Sequence, residues 1–247
     1  MQNNIARSSD DSFRVNFTCY FLLLQRKFKE AFTDEIKFYF GIIAFAIVTI
    51  TLNVRHLPMF QSTGEALMHS SFTIGSLMSS TGYSTVDFNQ FPVYSKTLLI
   101  ILMFIGACAG STGGGIKLSR CIILFRNMAN ELRVMTHPRQ VKKVRMDGHQ
   151  VEADVIKSVN VYFAVYLMIY VINLLILSFD GLDMTTNFTA VVATLNNIGP
   201  GLEQVGPMSN FDVFSTPSKC VLIFNMLAGR LELFPIVLLL SPATWKK

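Results

Sequence analysis

The sequence predicts an all-α transmembrane fold made of two parallel copies of one unit: a spanning helix, a short re-entrant helix and a second spanning helix (M–P–M). Three observations predict it. The chain of 247 residues is 51% hydrophobic and 15% charged, where a soluble domain carries roughly 25% charged residues. Its basic residues gather in a few loops between apolar stretches, the pattern that orients membrane proteins. The order apolar stretch, short semi-polar stretch, glycine string, apolar stretch occurs twice.

The same numbers exclude other classes. The net charge of +5 sits in loops, so it speaks for membrane topology and against a nucleic-acid partner. Cys19, Cys108, Cys121 and Cys220 are scattered without metal-ligand spacing and read as small buried apolar residues. There is no HExxH pair, no paired carboxylates and no Ser/His/Asp set, so the chain is not read as an enzyme. Gly110–Lys117 resembles a phosphate-binding loop, but Ile116 separates glycine from lysine, and the pattern needs them adjacent.

Residues 1–34 read as a polar leader and the end of a preceding helix. The apolar piece at 16–24 is too short to span, and its abrupt start predicts a truncated or split product. Residues 35–130 form the first unit. Phe38–Val54 is its first span, with Lys27, Lys29 and Lys37 before it, which predicts a cytoplasmic N-terminus. Ser62-Thr63-Gly64-Glu65 has the capping-box pattern of a helix start. Residues 63–78 are too polar to face lipid, so a re-entrant helix wrapped by protein is predicted.

The string Ser79-Ser80-Thr81-Gly82-Tyr83-Ser84 follows. Irregular backbone at membrane depth survives only where it is buried or lines a wet cavity, and rings of carbonyls can replace a cation's hydration shell. Ser80, Thr81, Gly82 and Tyr83 are therefore candidate filter residues. Thr97–Ala109 is an apolar half-span that runs into Gly110, Ser111, Thr112, Gly113, Gly114 and Gly115, then resumes at Ile116–Phe125. An apolar helix broken by glycines points to an ion pathway or gate.

Residues 131–154 form a basic loop, continuing a run that begins at Arg126 and includes Arg133, Arg139, Lys142, Lys143 and Arg145. This is the main positive-inside loop and a docking face for a cytosolic partner. Residues 155–247 form the second unit. Val159–Phe179 is a full span. Thr185–Asn196 is another short segment, about 18 Å of helix against a ~30 Å bilayer core. It ends in a second string, in which Asn197, Ile198, Gly199 and Pro200 are the candidate filter residues. Cys220–Leu240 is the last span. Gly82 is read as the counterpart of Gly199, and Phe72 as that of Phe188. Asp87, Glu203 and Asp212 lie beside the strings and are expected to concentrate cations there.

Four motifs, in order, carry a resemblance: SSTGYSTVDF at 79–88, GACAGSTGGGIKLSR at 106–120, ATLNNIGPGLEQVGP at 193–207 and NMLAGRLELFPI at 225–236. With them, residues 16–247 resemble the C-terminal half of the Trk/Ktr/HKT potassium transporters, and among these the bacterial TrkH-type uptake subunits. The resemblance implies a potassium-channel-like pore of four units, of which this chain holds the third and fourth. It implies K⁺ as the transported ion, held by the backbone carbonyls of Thr81, Gly82, Ile198 and Gly199, with no bound cofactor. It implies that residues 110–115 form an intramembrane gate and that Arg230 faces the pore below the filter. Lys117 is read as pore-lining or as marking the inner interface. Asn197-Ile198-Gly199-Pro200 departs from channel-type filter strings, so a looser geometry is expected there.

The implied partners are a second copy of the chain, an N-terminal half, a cytosolic TrkA-like nucleotide-binding regulatory subunit and the lipid bilayer. The implied location is a bacterial inner membrane, with both termini cytoplasmic. Two alternatives stand beside K⁺ uptake: a tandem-pore potassium channel, and a non-conducting truncated or regulatory half-subunit.

Overall fold

A computed structural model describes residues 33–106, 108, 114–137, 143–231 and 235. Seven α-helices and one small hairpin lie among them, with short 3-10 turns between: α1 Asp34–Val54, α2 Thr63–Met78, α3 Val93–Phe104, α4 Leu118–Thr136, β1 Arg145–Met146, β2 His149–Gln150, α5 Ala153–Leu177, α6 Met184–Leu195 and α7 Thr216–Leu231.

Local chemistry accounts for the helix limits. The α1 helix begins four residues before the apolar run, because the Thr33 side chain caps it and Asp34 and Glu35 fill its first turn, where acidic groups suit the helix dipole. The α2 helix covers the predicted short segment. Ser62 Oγ accepts from the Glu65 amide at 3.1 Å, and the Glu65 carboxylate accepts from the Gln61 amide at 2.7 Å. Such a cap contributes about 1 kcal/mol. The α6 helix is capped by Asp183, which accepts from the Thr186 amide at 2.9 Å.

The α3 helix runs Val93–Phe104 where the sequence reading has Thr97–Ala109, and α5 runs Ala153–Leu177 where it has Val159–Phe179. Two further differences bear on the basic loop. The α4 helix runs past Phe125 to Thr136, since residues 126–136 are amphipathic and hydropathy alone does not register them. The basic loop is not wholly irregular. Arg145–Met146 pairs antiparallel with His149–Gln150 around Asp147 (φ 50°) and Gly148 (φ 81°), the dipeptide that favours a tight hairpin. The Asp147 carboxylate accepts from the Asp34 amide at 2.6 Å, and Arg126 bonds both the Arg145 carbonyl, at 2.6 Å, and the Asp34 carboxylate, at 2.9 Å. The hairpin is thereby tied to the starts of α1 and to α4.

Two helices are long and apolar enough to cross a membrane, α1 and α5 with its following turn to Asp180; α3 is a shorter apolar helix. The α2 helix packs on α1 and α3, while α6 packs on α7, α5 and α3. A shared core runs through both sets, including Ile50, Ile74, Leu99, Leu102, Tyr166, Val191 and Leu195. The α6 helix is thus an inner element: its residues 189–195 are all buried, whereas α1 keeps Phe40, Phe45 and Val48 exposed and α2 keeps Leu67, Met68 and Phe72 exposed.

Candidate functional site

The two glycine strings leave their helices in the same way. Thr81 N–H reaches back to Ser76 O at 2.9 Å, and Ser80 N–H to Leu77 O at 3.2 Å; Ile198 N–H reaches Ala193 O at 2.8 Å, and Asn197 N–H Thr194 O at 3.1 Å. This is the closure that a left-handed residue gives a helix end. The left-handed residues are Ser80 (φ 55°) and Asn197 (φ 54°), followed two positions on by Gly82 (φ 76°) and Gly199 (φ 111°). One offset of 117 positions relates every pair. It also aligns the C-terminal ends of α2 and α6, Met78 and Leu195, so α6, with 12 residues against 16, lacks one N-terminal turn. By the same offset Phe188 stands opposite Ser71, one residue from the Phe72 expected, because the helix ends and not the aromatic residues set the register.

The strings meet. A Cβ on Gly82 would lie 2.2 Å from the Ile198 carbonyl oxygen, and the Cα of Gly82 lies 3.8 Å from where a Cβ on Gly199 would stand. Ser80 Oγ donates to Asn196 O at 3.4 Å. Tyr83, in contrast, has its side chain 72% exposed.

The second string is also joined to the glycine-rich loop. That loop has a neck: Gly106 N–H donates to Ile116 O at 2.9 Å, and Ile105 and Ile116 form a parallel bridge. Gly110, Ser111, Thr112 and Gly113 lie outside the described residues. Gly114 and Gly115 are buried against the string, since a Cβ on Gly115 would fall 1.9 Å from Asn196 Oδ1 and one on Gly114 2.6 Å from Asn197 Nδ2. Asn196 is fully buried. Its amide donates to Tyr166 Oη at 3.1 Å and to Val192 O at 3.1 Å. Tyr162 Oη donates to Gly115 O at 3.2 Å, and the Arg120 guanidinium stacks 4.2 Å from the Tyr162 ring. Asn197 Nδ2 donates to Met226 O at 3.0 Å.

The α7 helix closes this cluster with Gly229. A Cβ there would lie 2.0 Å from the Leu195 carbonyl oxygen. Arg230 follows directly and is exposed on the last described turn. Lys117 is half-buried at the N-cap of α4. Loop end, second string and α7 therefore form one packed group. The sequence reading placed Asn196 and Gly229 inside motifs without giving either a role, and it missed Tyr162 and Tyr166, because isolated polar residues in an apolar run carry no spacing signal.

On the far side of the strings the acids are engaged. Glu203 pairs with Lys96 at 2.9 Å and Asp212 with Lys219 at 2.6 Å; Asp87 accepts from the Asn89 amide at 3.1 Å. Lys219 beside Asp212 holds its carboxyl below the usual aspartate range. Two of the three acids expected to draw cations are thus balanced by lysines, and the field there is weaker than a count of acids implies. Among the described residues no group of three His, Cys, Asp or Glu could hold a metal.

The TrkH family, described as cation transport protein, matches residues 14–247. The chain belongs to that family. It is 32% identical over 234 residues to the Trk system potassium uptake protein TrkH of Salmonella typhimurium, covering 94% of this chain and 48% of that protein. It is 33% identical over 233 residues to TrkG of Escherichia coli K12, covering 94% and 47%. The crystal structure of the potassium transporter TrkH from Vibrio parahaemolyticus superposes with a TM-score of 0.84 at 33% identity, over 94% of this chain and 50% of that one. The chain spans about half the length of the relatives it matches. Its fold is the all-α transmembrane fold of a transport family, not of an enzyme family.

Proposed function

We propose that this chain supplies half of a K⁺-conducting pore in a bacterial inner membrane. One observation carries the reading: two strings of the same backbone conformation meet, with the Ile198 carbonyl oxygen turned toward Gly82. Desolvating K⁺ needs several carbonyl oxygens at once, and these strings present them from neighbouring helix ends. Thr81, Gly82, Ile198 and Gly199 are the proposed ligands, with Ser80, Tyr83, Asn197 and Pro200 completing the strings. The C-terminal ends of α2 and α6, partly negative, sit directly under them. The names of the relatives, potassium uptake proteins, support the same ion.

On this reading residues 35–130 and 155–247 are two parallel M–P–M units, joined by the basic loop at 131–154. A carbonyl ring of this type takes four strings, so a second copy of the chain or an N-terminal half completes the pore. The loop at 110–115 is the gate, with Arg230 and Lys117 at its flank. The basic loop and its hairpin face the cytoplasm, with both termini, and receive a TrkA-like nucleotide-binding subunit. The inside-negative potential contributes about 2.3 kcal/mol per charge per 100 mV to K⁺ entry.

The test is rubidium uptake into liposomes that hold this chain, alone and with an N-terminal half, with Gly82→Asp as control. Uptake abolished by Gly82→Asp is the expected result. Uptake indifferent to that substitution would sink the filter assignment, and silence in both preparations would favour a non-conducting regulatory half-subunit.

A further inference from the structure

Asn89 makes contacts that neither string nor gate requires. It sits in the turn Phe88–Gln90, whose Phe88 is buried to 1% exposure. Its side-chain amide reaches across 114 residues of sequence to one backbone unit. Nδ2 donates to Glu203 O at 3.0 Å, and Oδ1 accepts from Glu203 N–H at 2.8 Å. This is the two-bond pairing that a neighbouring strand would offer, made by a single side chain.

The residue it holds is strained. Glu203 has φ 53°, a left-handed conformation that costs a residue with a Cβ free energy and persists only where surroundings over-determine it. Here they do. Thr189 Oγ1 accepts from Leu202 N–H at 3.0 Å, Gly201 N–H donates to Val205 O at 2.7 Å, and Lys96 takes the Glu203 carboxylate. Gly206 completes the fit, since a Cβ there would stand 2.0 Å from Asn89 Nδ2. Asn89 lies seven residues after Gly82, and Glu203 four after Gly199. The bridge therefore joins the segments leaving the two strings, on the side opposite the Asn196–Tyr166 cluster.

We propose that Asn89 is a positioning residue that sets the gap between the two strings and thereby tunes discrimination among monovalent cations. The proposal rests on the reading of the strings as a K⁺ filter. Selectivity depends on how many carbonyls reach the ion and how freely they move. Asn196 and Asn197 fasten the second string at its start. After the strings, apolar packing of Phe88, Leu202 and Val205 brings the two segments together. Without Asn89, the directional link between them and α3 among the described residues is the partly exposed Lys96–Glu203 pair, a kind of pair that contributes little.

The experiment has two readouts on the full chain in lipid nanodiscs and in liposomes with whatever completes the pore. The first is the gap itself: spin labels at Gln90→Cys and Met208→Cys, with Cys19, Cys108, Cys121 and Cys220 replaced by alanine. A narrow distance distribution that broadens in Asn89→Ala and in Gly206→Ala is expected. The second is the ratio of K⁺ to Na⁺ uptake. Asn89→Ala should lower it about three- to tenfold, the factor that one or two net hydrogen bonds are worth, with maximal K⁺ uptake changed less. Lys96→Met, which removes the ion pair and leaves the amide bridge, should hold both readouts. An unchanged gap in Asn89→Ala, or a gap already broad in the unaltered chain, overturns the proposal whether or not the protein transports. A broadened gap with an unchanged ratio overturns the selectivity role. A broadened gap in a chain that moves no K⁺ in any preparation overturns the filter reading and, with it, that role.

Discussion

The two glycine strings share a backbone and differ in what holds it. The second is fastened by side chains: Asn196 to Tyr166 and Val192, Asn197 to Met226, with Gly115 and Gly229 pressed against it. The first has serine at the matching positions: Ser79 is exposed and its hydroxyl bonds within its own string, to Thr81 Oγ1 at 2.7 Å and Ser76 O at 3.4 Å, while Ser80 reaches Asn196 O. Behind it the hydroxyls of Ser70, Thr73 and Ser76 are buried with no hydrogen-bond partner among the described residues. One main-chain conformation is thus reached with two levels of support. The second string is the fixed reference, and the first is placed against it. The lesson is that a helix-end closure needs only local geometry, while rigidity needs partners from elsewhere in the chain.

The sharpest way to break this contrast is at Gly229. Gly229→Ala forces a Cβ onto the Leu195 carbonyl, and overpacking of this kind costs about 1–3 kcal/mol or more. Thermal unfolding in micelles should show a large fall in Tm. Gly41→Ala, where a Cβ meets open space, should leave Tm unchanged or slightly raised, as alanine is the better helix former.

A more direct comparison exchanges the matching residues. Asn196→Ala leaves the Tyr166 hydroxyl buried without its amide and should cost about 1–3 kcal/mol. Ser79→Ala, at the same place in the other string, should stay within about 0.5 kcal/mol. Equal losses would show that the two strings are supported alike. A smaller effect of the same sense is expected from hydroxyls. Thr189→Val removes the acceptor of Leu202 N–H and should destabilise by about 1 kcal/mol. Thr73→Val replaces a hydroxyl that bonds nothing among the described residues and should be neutral or stabilising.

The smallest effect is electrostatic. Lys219 holds the Asp212 carboxyl below its ordinary range, so the folded state binds that proton less readily than the unfolded chain. The contribution is complete above the usual aspartate range and fades as pH falls through the lowered value. Because Asp212 is largely exposed, Asp212→Asn should move Tm little at neutral pH, and any difference between the two proteins should vanish in acid.

Much of the fold was legible in the sequence. The α2 helix could be bounded at both ends because its start is a Ser62–Glu65 cap and its end a glycine string. The site was half legible. Gly82 and Gly199 stood out because each lies in a short string that follows a semi-polar segment, and both take left-handed backbone. The hairpin at 145–150 carried a signal that hydropathy passes over, the Asp147-Gly148 pair. Asn89, Tyr162 and Tyr166 carried none, as each is a single polar side chain without a pattern around it, and Asn196 lay in a motif that marked the string but not its own role.

The sequence by itself located α1, α2, α5 and α6 and the two strings that follow α2 and α6. Hydropathy, capping and glycine freedom act over a few residues, so they can be read locally. Only the tertiary structure decided that Ile198 O faces Gly82, that the loop end at Gly115 packs on Asn196, and that Asn89 bridges to Glu203. Those contacts join residues far apart in the chain. Their geometry depends on how helices pack, and no short stretch of chain contains that information.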